Sequence, residues 1–97
     1  MAAPVRFVAV AVDAIPAFVA RLADMPAPPH ARNPYAGDGP AAVRRDNLTL
    51  YLTRLAARRP WALLVGEAPG YRGCGATGVP FTSAVILLAE PCPFGLF

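Results

Sequence analysis

Lysine is absent from this 97-residue chain, and histidine occurs once, as His30. Without lysine there is no Walker-type phosphate loop, whose ammonium group must reach the outer phosphates. Two cysteines, Cys74 and Cys92, stand well apart with no C-x-x-C pair. With one histidine they cannot supply the four ligands of a structural zinc ion or of the usual iron–sulfur cluster, so neither a metal nor another cofactor is expected. A disulfide is open to them but nothing forces it, and two reduced thiols in a cytoplasmic protein are the expectation. No apolar run approaches the ~20 residues that cross a bilayer, so a membrane is not an expected partner. The apolar opening, residues 5–23, carries Arg6, Asp13 and Arg21 with Pro16 in its middle, which is not the layout of a signal peptide.

What is present points to one small globular unit, 1–97. Apolar residues make up 56% of the chain. Leu, Ile, Val and Phe together exceed a quarter of it, above the ~20% below which disorder sets in. The nine basic and six acidic residues give a net charge of +3, which permits a polyanionic partner. All nine basic residues are arginine, and alanine occurs twenty times. That composition follows a GC-rich coding sequence more closely than a surface selected for nucleic acid.

Along the chain, residues 5–12 (VRFVAVAV) are rich in β-branched side chains and suit a strand. Residues 13–25 suit a helix, with Asp13 at the N-cap and Ile15, Phe18, Val19 and Leu22 at i, i+3, i+4, i+7. Residues 26–40 hold five prolines and two glycines, which excludes a regular element. Tyr35, inside that loop, is expected to be pinned to something. Residues 40–59 form the clearest helix. Pro40 opens it, Leu48, Tyr51, Leu52 and Leu55 make its apolar stripe, and Arg54, Arg58 and Arg59 complement its negative end. Pro60 stops it. The run Trp61-Ala62-Leu63-Leu64-Val65 then suggests a central parallel strand buried on both faces. Helix, buried strand and Gly/Pro loop together predict an α/β fold. In such sheets ligands bind beyond the carboxyl ends of the strands, which directs attention to residues 66–83.

That segment holds five glycines and two prolines. Gly73-Cys74-Gly75-Ala76-Thr77-Gly78 matches G-x-G-x-x-G by letter. It starts eight residues beyond the strand, Pro80 blocks a following helix, and no acid stands at the required offset, so a dinucleotide loop is rejected. Glu67, an acid directly after an apolar run, is better explained by solvation or use than by burial. The order LLVGEAPG, then Tyr71-Arg72-Gly73, then Thr77-Gly78-x-Pro80-Phe81-Thr82-Ser83 resembles the first motif of the uracil-DNA glycosylase superfamily, in its bacterial GEAPG-type branch. Asn33-Pro34-Tyr35-Ala36 and Arg44-Arg45-x-Asn47-Leu48-x-x-Tyr51-Leu52 resemble that branch's N-terminal region. The similarity spans residues 18–83, and 84–97 read as an atypical tail.

The resemblance implies the N-terminal part of a three-layer α/β/α parallel-sheet domain, incomplete at residue 97. It also implies a hydrolase of base-excision repair that cleaves the N-glycosidic bond of a flipped-out uracil in DNA. Such an enzyme stacks the extruded base on an aromatic and reads its polar edge. Phe81 is the implied stacking platform. Backbone groups of Gly66, Ala68, Pro69 and Gly70 would bond the base, and Tyr71 would wall the pocket. Glu67 is the implied catalytic residue, positioning water or stabilising the sugar cation. Ala68 stands where the G-Q-D-P-Y version of the motif has its water-activating aspartate, Gly73 replaces an acid of the iron–sulfur branch, and the histidine loop of the family's second motif is missing. Impaired activity is therefore expected. The alternatives are a non-catalytic base- or nucleic-acid-binding module and an inactive structural fragment.

Overall fold

The computed structural model describes residues 14–66, 68–70 and 72–89. The possible strand at 5–12, the expected N-cap Asp13, and Glu67, Tyr71 and Cys92 lie outside the described residues. Four helices follow one another: α1 (Ala14–Asp24), α2 (Pro40–Ala57), α3 (Cys74–Thr77) and α4 (Ala84–Leu87).

Two neighbouring faces of α2 organise the rest. One carries Leu48 and Leu52, which pack with Ile15 and Val19 of α1 and with Leu22 and Tyr35. The other, defined by Arg44, Asn47 and Tyr51 at i, i+3, i+7, meets the glycine-rich segment. There Leu50 and Tyr51 pack against a second cluster, Val79 and Leu87. Tyr51 belongs to both clusters and joins them. Pro40 starts α2, where a missing N–H costs nothing. The expected stripe of α1 holds at Ile15, Val19 and Leu22, whereas Phe18 is half exposed.

Polar side chains fasten the irregular segments to this helix pair. Asn33 Nδ2 donates to the carbonyls of Leu22 at 2.7 Å and Met25 at 3.1 Å, satisfying the C-terminal end of α1. Its Oδ1 accepts from the Tyr35 N–H at 3.0 Å. Arg45 donates to the carbonyls of Tyr35 and Gly37, both at 2.6 Å. Arg44 bridges Pro34 O at 3.2 Å and Ala76 O at 3.3 Å, and Asn47 Nδ2 donates to Thr77 O at 2.8 Å. The proline-rich loop and the glycine-rich segment are thus tied to the same side of α2. Tyr35 is pinned as its position in the loop implied. Its hydroxyl donates to Gly78 O at 2.7 Å and lies 3.6 Å from Cys74 Sγ.

The expected α/β parallel sheet is not formed: the described residues contain helices and irregular segments and no strand. Residues 61–66 are exposed instead of buried in a central position. A strand exists only with a neighbour that takes its backbone groups into a ladder, and no second extended partner runs beside this segment among the described residues. The apolar run signalled a wish for burial, not the sheet to provide it. At the start of the tail, Ala84–Leu87 form α4. Ser83 caps it by accepting the Ile86 N–H at 3.4 Å.

Candidate functional site

The segment 73–83 is built around buried hydroxyls. Thr77 and Thr82 are both nearly inaccessible, and their hydroxyl oxygens lie 3.2 Å apart. Thr82 Oγ1 donates to Val79 O at 2.9 Å, and Thr77 Oγ1 accepts the Val79 N–H at 3.1 Å. Among the described residues no buried side-chain nitrogen or oxygen lacks a partner. This closed network fixes the turn at 77–82 from within.

The letter-match G-x-G-x-x-G has a packing explanation. Gly78 closes α3 in the left-handed conformation, φ +79°, and its N–H bonds to Cys74 O at 2.7 Å. It also lies flat against α2, so that a β-carbon there would run into the backbone of Arg44. A β-carbon on Gly75 would stand 2.7 Å from Gly70 O, the carbonyl that accepts the Gly75 N–H. The sequence between these glycines folds into α3 itself.

The fixed turn delivers Phe81 outward. Its φ is +58°, a region a bulky residue seldom occupies, and 62% of the residue is exposed. Such strain, of order 1–3 kcal/mol, persists only where the surroundings impose it. Here the flanking Thr82 is buried and bonded back to Val79. The Phe81 ring lies over Gly66, where an added β-carbon would meet Cζ at 3.3 Å.

Together they line an open cleft of about 690 Å³. One lip is formed by Leu64, Val65, Gly66, Ala68, Pro69 and Gly70, and the other by Pro80, Phe81, Thr82 and Ser83, with Cys74 and Ile86 between. Five residues singled out from sequence, Gly66, Ala68, Pro69, Gly70 and Phe81, therefore meet at one place. Glu67 and Tyr71 are outside the described residues. Among the described residues, no backbone hydrogen bond engages the N–H groups of Gly66, Ala68 or Gly70.

Compared with protein-family models, with curated proteins and with solved structures, the chain matches none. The cleft must be judged on its own residues.

Those residues are apolar or neutral. No Asp, Glu, His or Arg stands among the described residues of its lining. His30 lies elsewhere, exposed in the proline-rich loop with φ +68°. No group of three or more His, Cys, Asp or Glu side chains that would hold a metal occurs among the described residues, and none of their helices is long and apolar enough to cross a membrane. Cys74 is a free thiol. Behind it, burial holds the Tyr35 phenol well above its ordinary pKa, with the hydrogen bond to Cys74 and the negative charge its sulfur carries when ionised adding to the shift. Both support the floor of the cleft. Sequence reasoning missed the lining by Cys74, Thr82, Ser83 and Ile86, as well as the bracing roles of Arg44 and Asn47. The signal was present in the Arg44-Arg45-x-Asn47 spacing, which places residues 44 and 47 one turn apart on α2.

A second concavity of about 500 Å³ lies between α1 and the start of α2, lined by Val19, Asp24, Asp38, Arg45 and Thr49 among others. Its arginine is already committed to the carbonyls of Tyr35 and Gly37.

Proposed function

We propose that the chain is a uracil-DNA glycosylase-like protein whose cleft receives a flipped-out uracil from DNA. In this reading Phe81 is the stacking platform, and the backbone donors of Gly66, Ala68 and Gly70 face the base's carbonyl oxygens, with Pro69 stiffening their path. The resemblance would add Tyr71 as a wall of the pocket and Glu67 as the group that positions the attacking water, both outside the described residues. One observation carries it: Gly66 and 68–70 of the GEAPG segment and the PFTS segment, ten positions further along the chain, line one cleft with an exposed, strained aromatic at its lip. The sheet implied by the family resemblance is not found among the described residues, so the proposal takes from that resemblance only the two motifs.

A specific observation favours a second reading, a base-binding module without catalysis. The described lining holds no acid and no histidine, and hydrolysis rests on Glu67 alone. Losing one donor to a departing anion costs ~10²–10³ in rate.

Titration of the full chain with uracil, followed by an activity assay on single-stranded uracil-containing DNA, tests both readings. Stacking on an aromatic is worth ~1–3 kcal/mol per base, so Phe81→Ala weakens uracil binding by roughly 5- to 150-fold. Release of uracil that disappears in Glu67→Ala supports the glycosylase. Binding without release supports the module. Absence of uracil binding, or binding unchanged in Phe81→Ala, rejects both.

A further inference from the structure

Around the cleft lies the most conspicuous unburied surface of the molecule. Trp61 is 89% exposed, and Leu63, Leu64, Val65, Val85 and Leu88 are each at least three-quarters exposed. The two stretches that carry them meet at the cleft, since Leu64, Val65 and Ile86 all line it. With the Phe81 ring they present apolar surface on the order of 800 Å², beyond the ~300–600 Å² patch of a typical monomer and equal to the ~800 Å² that each partner gives to a standard interface. Neither 60–66 nor 78–89 contains a charged residue. Among the described residues, no backbone hydrogen bond engages the N–H groups of residues 61–65.

We infer that this surface is the interface of a symmetric homodimer. A two-fold interface sets a patch against itself, so it must be free of like-charge repulsion, and an uncharged apolar patch meets that condition. The segment 61–65 adds backbone N–H groups that no described residue engages and that can bond to the same segment of a second copy related by the two-fold, in the manner of strand addition. The area matches what one subunit of a stable dimer contributes. This inference stands apart from the base-binding reading, because it needs no ligand.

Trp61 is the only tryptophan of the chain, and it reports directly. Sedimentation and tryptophan emission of the full chain are measured over a dilution series. The expected result is a mass that rises twofold and then stays constant, with Trp61 emission shifting to shorter wavelength along the same curve. Leu63→Glu and Val85→Glu, at sites 86% and 82% exposed, each place two carboxylates in the apolar seam. Both variants keep the wild-type far-UV circular dichroism and remain monomeric. A wild-type monomer at every concentration overturns the dimer. So does a mass that grows past two without a plateau, or a dimer that survives both substitutions. An oligonucleotide that blue-shifts Trp61 while the protein stays monomeric assigns the patch to nucleic acid and overturns it too.

Discussion

Replacing Gly78 with alanine tests whether the seam between α2 and the glycine-rich segment holds the described structure together. Gly78 has φ +79°, and an L-residue in that region costs ~1–2 kcal/mol. The added methyl also meets the Arg44 backbone, with Arg44 Cα at 2.7 Å and its carbonyl carbon at 2.8 Å. Neither partner is a flexible side chain, so the segment must retract from α2. Retraction stretches the bonds from Tyr35 to Gly78 O and from Asn47 to Thr77 O, each worth ~0.5–1.5 kcal/mol net. The expected loss is about 3 kcal/mol or more, a large part of the ~5–15 kcal/mol that stabilises an ordinary domain. Gly37→Ala is the control. Its φ is +97°, yet nothing lies within 4 Å of an added β-carbon, so only the conformational cost of ~1–2 kcal/mol applies. Urea unfolding followed by far-UV circular dichroism compares the two. Equal losses in Gly78→Ala and Gly37→Ala refute the packed seam.

Asn33→Ala strips the C-terminal carbonyls of α1 and the Tyr35 N–H of their partner, and is expected to lower unfolding stability by ~1–3 kcal/mol; a thermal melt with no loss excludes the clamp. Tyr35 holds its proton more tightly when folded than its ordinary pKa of 10.0, so its stabilisation is intact below pH 10 and declines as the pH climbs above it. Alkaline unfolding curves show that decline in the wild type, and Tyr35→Phe flattens it. Phe81→Gly relieves the positive φ, so stability holds or rises by ~1 kcal/mol while uracil binding is lost; a marked fall in melting temperature shows the ring to be core.

The two long helices were legible because their signals are local. Residues 40–57 carry proline at the start, an apolar stripe and arginines at the end, and α2 forms over Pro40–Ala57, two residues short of the expected end. Asn33-Pro34-Tyr35 announced an anchored loop, though not the partners 39 to 43 positions away. The strand failed for a non-local reason. Five apolar residues in a row look alike whether a sheet awaits them or open solvent does, and nothing within 61–65 reports the neighbour. The reason for the glycine spacing was hidden in a related way. Gly78 is required by the backbone of Arg44, thirty-four positions earlier, which no local motif encodes. Of the site, the lip residues were legible through their motif order, while the buried Thr77–Thr82 pair that fixes Phe81 was not, because hydroxyls in a glycine-rich stretch read as loop composition.

The two lips of the cleft are built differently, and that difference links the base site to the proposed dimer. The lip bearing Phe81 is anchored through Thr82, Thr77 and Asn47 to α2. The other, residues 64–66 and 68–70, is exposed at each of these positions. A base seated on Phe81 and a second copy covering Leu64, Val65 and Phe81 claim the same apolar faces, so one must exclude the other. Linkage makes such exclusion reciprocal: whatever factor the dimer removes from uracil affinity, uracil removes from dimer affinity. Saturating uracil is therefore expected to raise the protein concentration at which the mass is midway between monomer and dimer, and to shift Trp61 emission back to longer wavelength at fixed concentration. Phe81→Ala, with its ring gone, removes uracil's effect on that midpoint. A midpoint that uracil leaves in place, in a chain shown separately to bind uracil and to dimerise, means that the two surfaces do not overlap at Phe81.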